Sequence, residues 1–203
     1  MKTFALAAAL ALAFSTGAQA DVLTTTFAGN NGQNGNMFDV VTKGSALTVT
    51  GFDLHLAFGQ HTIALYKLNG SWTDAQYDAS EWTLLDTASL SGNGRGAATF
   101  FDVADFGLNA GATTGLYVTI TNGGTMHYTD GSGVGNVYAE NNYLQILEGA
   151  GKAYAFGDTY APRVWNGSMY YQVAANEVPE PGSLALFGLG MAGLGLLRRR
   201  KQC

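Results

Sequence analysis

Residues 48–68 read TVTGFDLHLAFGQHTIALYKL, and the periodicity of this stretch decides the fold class. Phe52, Leu54 and Leu56 alternate with Asp53 and His55, a period of two that gives a strand one apolar and one wet face. Leu47 and Val49 carry the opposite parity, which places a β-bulge near Gly51. The run 61–68 has the same β-branched and aromatic character, so the two runs are expected to form a hairpin turning at Gly59-Gln60.

The same reading extends outward. Strands are expected at 81–90, 96–103, 114–121, 125–129 and 168–174, separated by glycines and Asn-Gly pairs. No stretch carries a sustained helical period with caps. Short strands spaced roughly 8–12 residues apart point to an all-β domain over residues 21–175, an antiparallel β-sandwich of jelly-roll type. Asn69-Gly70-Ser71 and Asn166-Gly167-Ser168 match a glycosylation acceptor pattern but are better explained as Asn-Gly turns.

Both ends depart from this pattern. Lys2 precedes the apolar run 4–14, and Ala18-Gln19-Ala20 supplies a small-x-small cleavage site, so residues 1–20 read as a secretory signal peptide cut before Asp21. The last segment, 176–203, combines Val178-Pro179-Glu180-Pro181, an uncharged run at 183–197, and Arg198, Arg199, Arg200 and Lys201. As a helix that run reaches roughly 22 Å, short of a ~30 Å hydrocarbon core. The cations snorkel to extend it and hold it in the cytoplasmic leaflet, giving a transmembrane helix with the domain outside. The two prolines keep 179–181 extended and accessible to a protease.

Pro-Glu-Pro, apolar helix and Arg cluster, in that order, resemble the PEP-CTERM protein-sorting signal, a tail also catalogued as an "ice-binding protein C-terminal domain". The resemblance covers about 25 of 203 residues. It implies a Gram-negative, exopolysaccharide-making host and an exosortase-type processing protease that recognises Pro179, Glu180 and Pro181. It also implies transient residence in the inner membrane, followed by release to the envelope surface or extracellular matrix. A looser likeness, carried by FAGNNGQNGNMFDV (27–40), GFDLHL (51–56), YTDGSGVGNVY (128–138) and 151–171, is to a β-sandwich module of secreted bacterial proteins. That module implies fold and export only.

Composition narrows the function. Between residues 21 and 181 five cations face fifteen acids, a formal charge of −10, which argues against nucleic acid or anionic lipid as a partner of the domain. The single cysteine, Cys203, lies in the tail, so the domain has neither a disulfide nor a catalytic thiolate. No cofactor is implied. The stretch 29–39 reads as a long Gly/Asn turn. The loop 130–141 fails the EF-hand pattern at Val134 and Asn141, leaving Asp130 and Glu140 as candidate ligands in another calcium geometry. His55 and His61, with Asp53, offer a metal site near the expected hairpin. Trp72 and Tyr77 in NGSWTDAQYDASEW (69–82) are candidate rings for stacking on a glycan.

The main expectation is a non-enzymatic, exported surface or matrix protein, associated with exopolysaccharide. A secreted glycan or ester hydrolase is the first alternative, although no Gly-x-Ser-x-Gly elbow or marked carboxylate pair is present. The second is an ice-binding face lined by Thr24 to Thr26 and the Thr-x-Thr pairs at 48/50 and 119/121.

Overall fold

The computed structural model describes residues 20–29 and 31–174. Residues 1–19 of the expected signal peptide, the sorting residues Val178, Pro179, Glu180 and Pro181, the apolar run and the cations Arg198, Arg199, Arg200 and Lys201 lie outside the described residues. In chain order the strands are β1 (Ala20–Thr24), β2 (Asn31–Gln33), β3 (Gly35–Thr42), β4 (Leu47–Leu54), β5 (Gly59–Asn69), β6 (Thr83–Gly92) and β7 (Thr99–Leu108). They continue with β8 (Thr113–Ile120), β9 (Met126–Asp130), β10 (Val137–Glu140), β11 (Leu144–Leu147), β12 (Gly149–Lys152), β13 (Thr159–Trp165) and β14 (Gly167–Val173). Among the described residues no helix is long and apolar enough to cross a membrane.

Two antiparallel sheets face one another. The smaller runs β1-β14-β4-β7; the larger runs β2-β9-β13-β12-β3-β8-β5-β6, with β11 also on β3 and β10 beyond it. Taken as β1-β14-β4-β7 against β3-β8-β5-β6, eight of these strands have the winding order of two Greek keys, as a jelly roll does. The segment β9–β13 is inserted between the seventh and eighth of them and widens the larger sheet. The core lies between the sheets, where Leu47, Val49, Phe52 and Leu54 of β4 meet Phe38, Val40, Ile63, Leu65 and Leu116 of the larger sheet.

The expected hairpin at Gly59-Gln60 does not form: β4 lies in the smaller sheet and β5 in the larger. The reason is the stretch 55–58, which crosses between layers. Ala57 N–H donates to Thr125 O at 2.9 Å, and Leu56 bridges to Met126 instead of continuing β4. His55 is therefore buried and not on a wet face. The bulge near Gly51 is present: β4 shifts register against β7 between Val49 and Gly51. It sets residues 103–105 of β7 opposite the single residue Thr50, and Asp86 of β6 accepts the Ala104 N–H at 2.8 Å, tying the two sheet edges together.

The stretch 29–39 is a second correction. It holds the short strand β2, a bend at Asn34 and the start of β3, where Asn36, Met37 and Phe38 are wholly buried in a central strand with partners on both sides. Glycine and asparagine content masked a strand whose close neighbours demand small residues. Gly35 shows this, because a Cβ there would lie 2.3 Å from Val118 O. The threonine pairs do not share a face: Thr48 is in the smaller sheet, and Thr119 is buried in the larger.

β12 lies between β3 and β13, and its Gly149 permits a close approach of neighbouring backbone. A Cβ there would lie 2.0 Å from Met37 O and 2.8 Å from Phe38 Cα, with backbone on both counts and no flexible side chain to yield. Gly149→Ala is therefore expected to destabilise the domain by about 3 kcal/mol, seen as a lower Tm in thermal unfolding.

Candidate functional site

The outer face of the larger sheet is covered by the connection between β5 and β6. The anchor is Asp39 on β3. Its buried carboxylate accepts the Ser71 hydroxyl at 2.6 Å and the Trp72 N–H at 2.9 Å. Burial raises the Asp39 pKa, against the lowering effect of those two hydrogen bonds. From this anchor the chain makes two single-turn 3-10 segments, Trp72–Asp74 and Ala79–Glu81, capped by Ser71 and Asp78.

Trp72 and Trp82 turn inward from this loop and pack with Met37, Leu68 and Tyr117 in a second, smaller core. Trp72 is 2 % exposed, which corrects its reading as a glycan-stacking ring: its faces are taken up by protein. The Trp82 indole N–H is satisfied by Ala75 O at 2.9 Å. Tyr66, Tyr117 and Phe156 complete this cluster with edge-to-face and stacked contacts, their centroids 5.1–5.6 Å apart.

Tyr77 behaves differently. At 65 % exposure its ring stands at the surface beside an open depression of about 430 Å³ lined by residues 73–78. One ring face is held from beneath by Lys152, whose Nζ lies 4.0 Å from the centroid. Lys152 is fully buried on β12 and donates to Gly157 O at 2.5 Å and Thr159 Oγ1 at 2.7 Å. Desolvation lowers its pKa to about 8. Thr73, Asp74, Gln76 and Asp78 ring the depression, offering hydroxyl, amide and carboxylate groups beside a fixed aromatic face. Lys152 was not legible in the sequence, because nothing in GKAYAFGDTY sets this lysine apart from a solvated one.

The loop that resembled a calcium site is organised by a carboxylate of its own chain. Glu148 is buried and accepts Ser132 N–H at 2.5 Å, Ser132 Oγ–H at 3.0 Å and Gly133 N–H at 2.8 Å. Asp130 and Glu140 do not join it. Asp130 pairs with Arg163 at 3.2 Å, and Glu140 pairs with Lys43 at 3.0 Å. Among the described residues no group of three or more His, Cys, Asp or Glu is placed to hold a metal.

The histidines regroup as well. His55 packs against His127, with centroids 4.9 Å apart, and its Nε2 accepts Gly96 N–H at 2.6 Å. His61 sits elsewhere, its Nε2 3.0 Å from Ala57 O, and Asp53 accepts the Tyr170 hydroxyl at 2.7 Å. Burial, then the neighbouring His127 and Arg95, lower the His55 pKa to about 4.

Two outcomes follow. In the fold His55 stays neutral where an unfolded chain, near its usual value of 6.5, takes a proton. Stability therefore falls as pH drops from about 6.5 towards 4, and His55→Gln flattens this part of a denaturant-derived stability profile. Glu148→Ala leaves three donors without their acceptor and is expected to cost about 3 kcal/mol, with faster proteolysis within 131–136.

Comparison with known proteins adds the following. Among curated proteins none matches the chain. Among solved structures, the "Crystal structure of infectious bursal disease virus VP2 subviral particle" is similar at 14% identity and a TM-score of 0.26, over 88% of this chain and 49% of that one. The tail gives the informative match, from Glu177 to Lys201, over the Pro-Glu-Pro segment, the apolar run and the cations: residues 177–201 carry the PEP-CTERM protein-sorting motif.

Proposed function

We propose that this chain is a non-enzymatic β-sandwich, exported and sorted through its tail to the envelope surface or matrix, where the Tyr77 loop associates with exopolysaccharide. The sorting motif supports export and sorting through the tail. The observation that carries the second is the Tyr77 ring, fixed from below by Lys152 and open above, beside a polar-lined depression. A preorganised ring stacks on a pyranose face with little loss of side-chain freedom.

The buried ionisable groups favour a binding role over a catalytic one. Asp39, Glu148, Lys152 and His55 each hold a loop or a crossing segment to a strand, so their hydrogen-bonding capacity is already engaged. Asp130 and Glu140 sit in separate ion pairs and do not face one another across a cleft.

The reading is tested with exopolysaccharide from the native host in an affinity pull-down of the mature protein. Tyr77→Ala is expected to weaken retention on the order of tenfold, about 1.4 kcal/mol, while leaving Tm within a degree or two. Retention unchanged by that substitution would sink the glycan assignment. Sorting is tested by Glu180→Ala in the host, which is expected to leave the unprocessed chain in the inner membrane.

A further inference from the structure

The two ends of the described chain leave the sandwich side by side. Ala20 of β1 pairs with Gln172 of β14, and Val173 pairs with Leu47 of β4. Ala174 is still held, its N–H donating to Ala46 O at 3.1 Å. Only four residues lie between Ala174 and Pro179, five Cα steps that span at most about 18 Å even if fully extended. An enzyme that closes on 179–181 therefore meets this end of the domain before any other.

That end has a fixed shape. Gly111 N–H donates to Lys43 O at 2.7 Å, and Lys43 N–H donates to Tyr143 O at 2.8 Å, so three connections share one hydrogen-bonded platform. Lys43 Nζ adds a bond to Asn141 O, and Tyr171 OH joins Asn141 at 2.6 Å to Asp21 at 3.1 Å. The exposed tips are small and uncharged: Gly44, Ala46, Asn109, Ala110 and Asn142. Nearby, Lys43 pairs with Glu140, and the Asp21 carboxylate accepts the Tyr171 hydroxyl at 3.1 Å. In a domain of formal charge −10, these uncharged tips stand where the tail departs.

We propose that this platform, formed by the connections around Lys43–Ala46, 109–112 and 141–143, is the seat on which the sorting enzyme rests while it engages Pro179-Glu180-Pro181. The proposal rests on the reading of the tail as a processed motif. The tether is too short to hold the domain clear of the enzyme, and small uncharged tips permit close approach without desolvating a charge. Selection of substrates then includes the end of the folded domain as well as the motif.

The test is a pulse–chase of the full chain in its host. The double variant Ala46→Tyr/Ala110→Tyr adds bulk without charge at two exposed tips, and is expected to slow processing at least fivefold. Inserting fifteen Gly/Ser residues after Ala174 is expected to restore the wild-type rate by lifting the domain away. Processing of the double variant at the wild-type rate overturns the proposal. So does slowing that the insertion fails to relieve, which would indicate a folding or export defect. A second variant, Ala46→Glu/Ala110→Glu, separates the enzyme from the bilayer: slowing by the acidic pair alone would assign the platform to lipid repulsion and overturn docking on the enzyme. Glu180→Ala, run in parallel, reports on the motif itself. If it is processed normally the sorting reading fails, whatever the platform variants do.

Discussion

A sandwich without a cysteine in its domain depends on the fit of side chains between its layers. Here that fit centres on one aromatic group. Phe38 of β3 stacks on Trp165 of β13, with centroids 4.6 Å apart and planes 8° from parallel. Phe52 of the smaller sheet meets Trp165 edge-on at 5.9 Å. β3 and β13 are not neighbours, and the stack reaches across β12. Glycine at 149 and 151 keeps that strand thin, and the Tyr128 ring lies where a Cβ of residue 151 would be. The inserted segment β9–β13 is thereby bound into the same core as the eight-stranded winding, and the sheets are held in one relative position.

The loops are held by a different device. Asp39, Glu148 and Lys152 are buried charges, and each is surrounded by donors or acceptors from a single loop. Removing any one partner would leave a charge or a backbone amide stranded away from water, so each loop has one well-defined position. In the 69–82 connection this leaves Tyr77 as the ring offered to solvent, while Trp72 and Trp82 fill space beneath it.

Alternation made the β class, the bulge at Gly51 and most strand positions of the first two thirds readable, because each of those strands has one face in the core. Pairing was not readable. The β4–β5 hairpin looked sound by local rules, yet the chain at 55–58 crosses layers, and period-two alternation is the same whichever sheet a strand joins. β3 and β12 were hidden for another reason: they are buried on both faces, which removes the alternation, and Gly35, Gly149 and Gly151 sit where neighbouring atoms leave no room for a side chain. At the candidate site Tyr77 was legible as an aromatic in a polar loop. Trp72 was not separable from it, since exposure depends on the distant carboxylate of Asp39. Lys152 and Glu148 matter only through tertiary burial, which leaves no local mark.

The placement of β14 bears on how the molecule would respond to mechanical load. β14 lies between β1 and β4 and runs antiparallel to both, with its last residues next to the tail. A pull on residue 174 along the strand axis acts across the ladders in shear, so many rungs resist together and do not open one after another. A protein tethered through this strand would carry tension into the ladders on both of its sides.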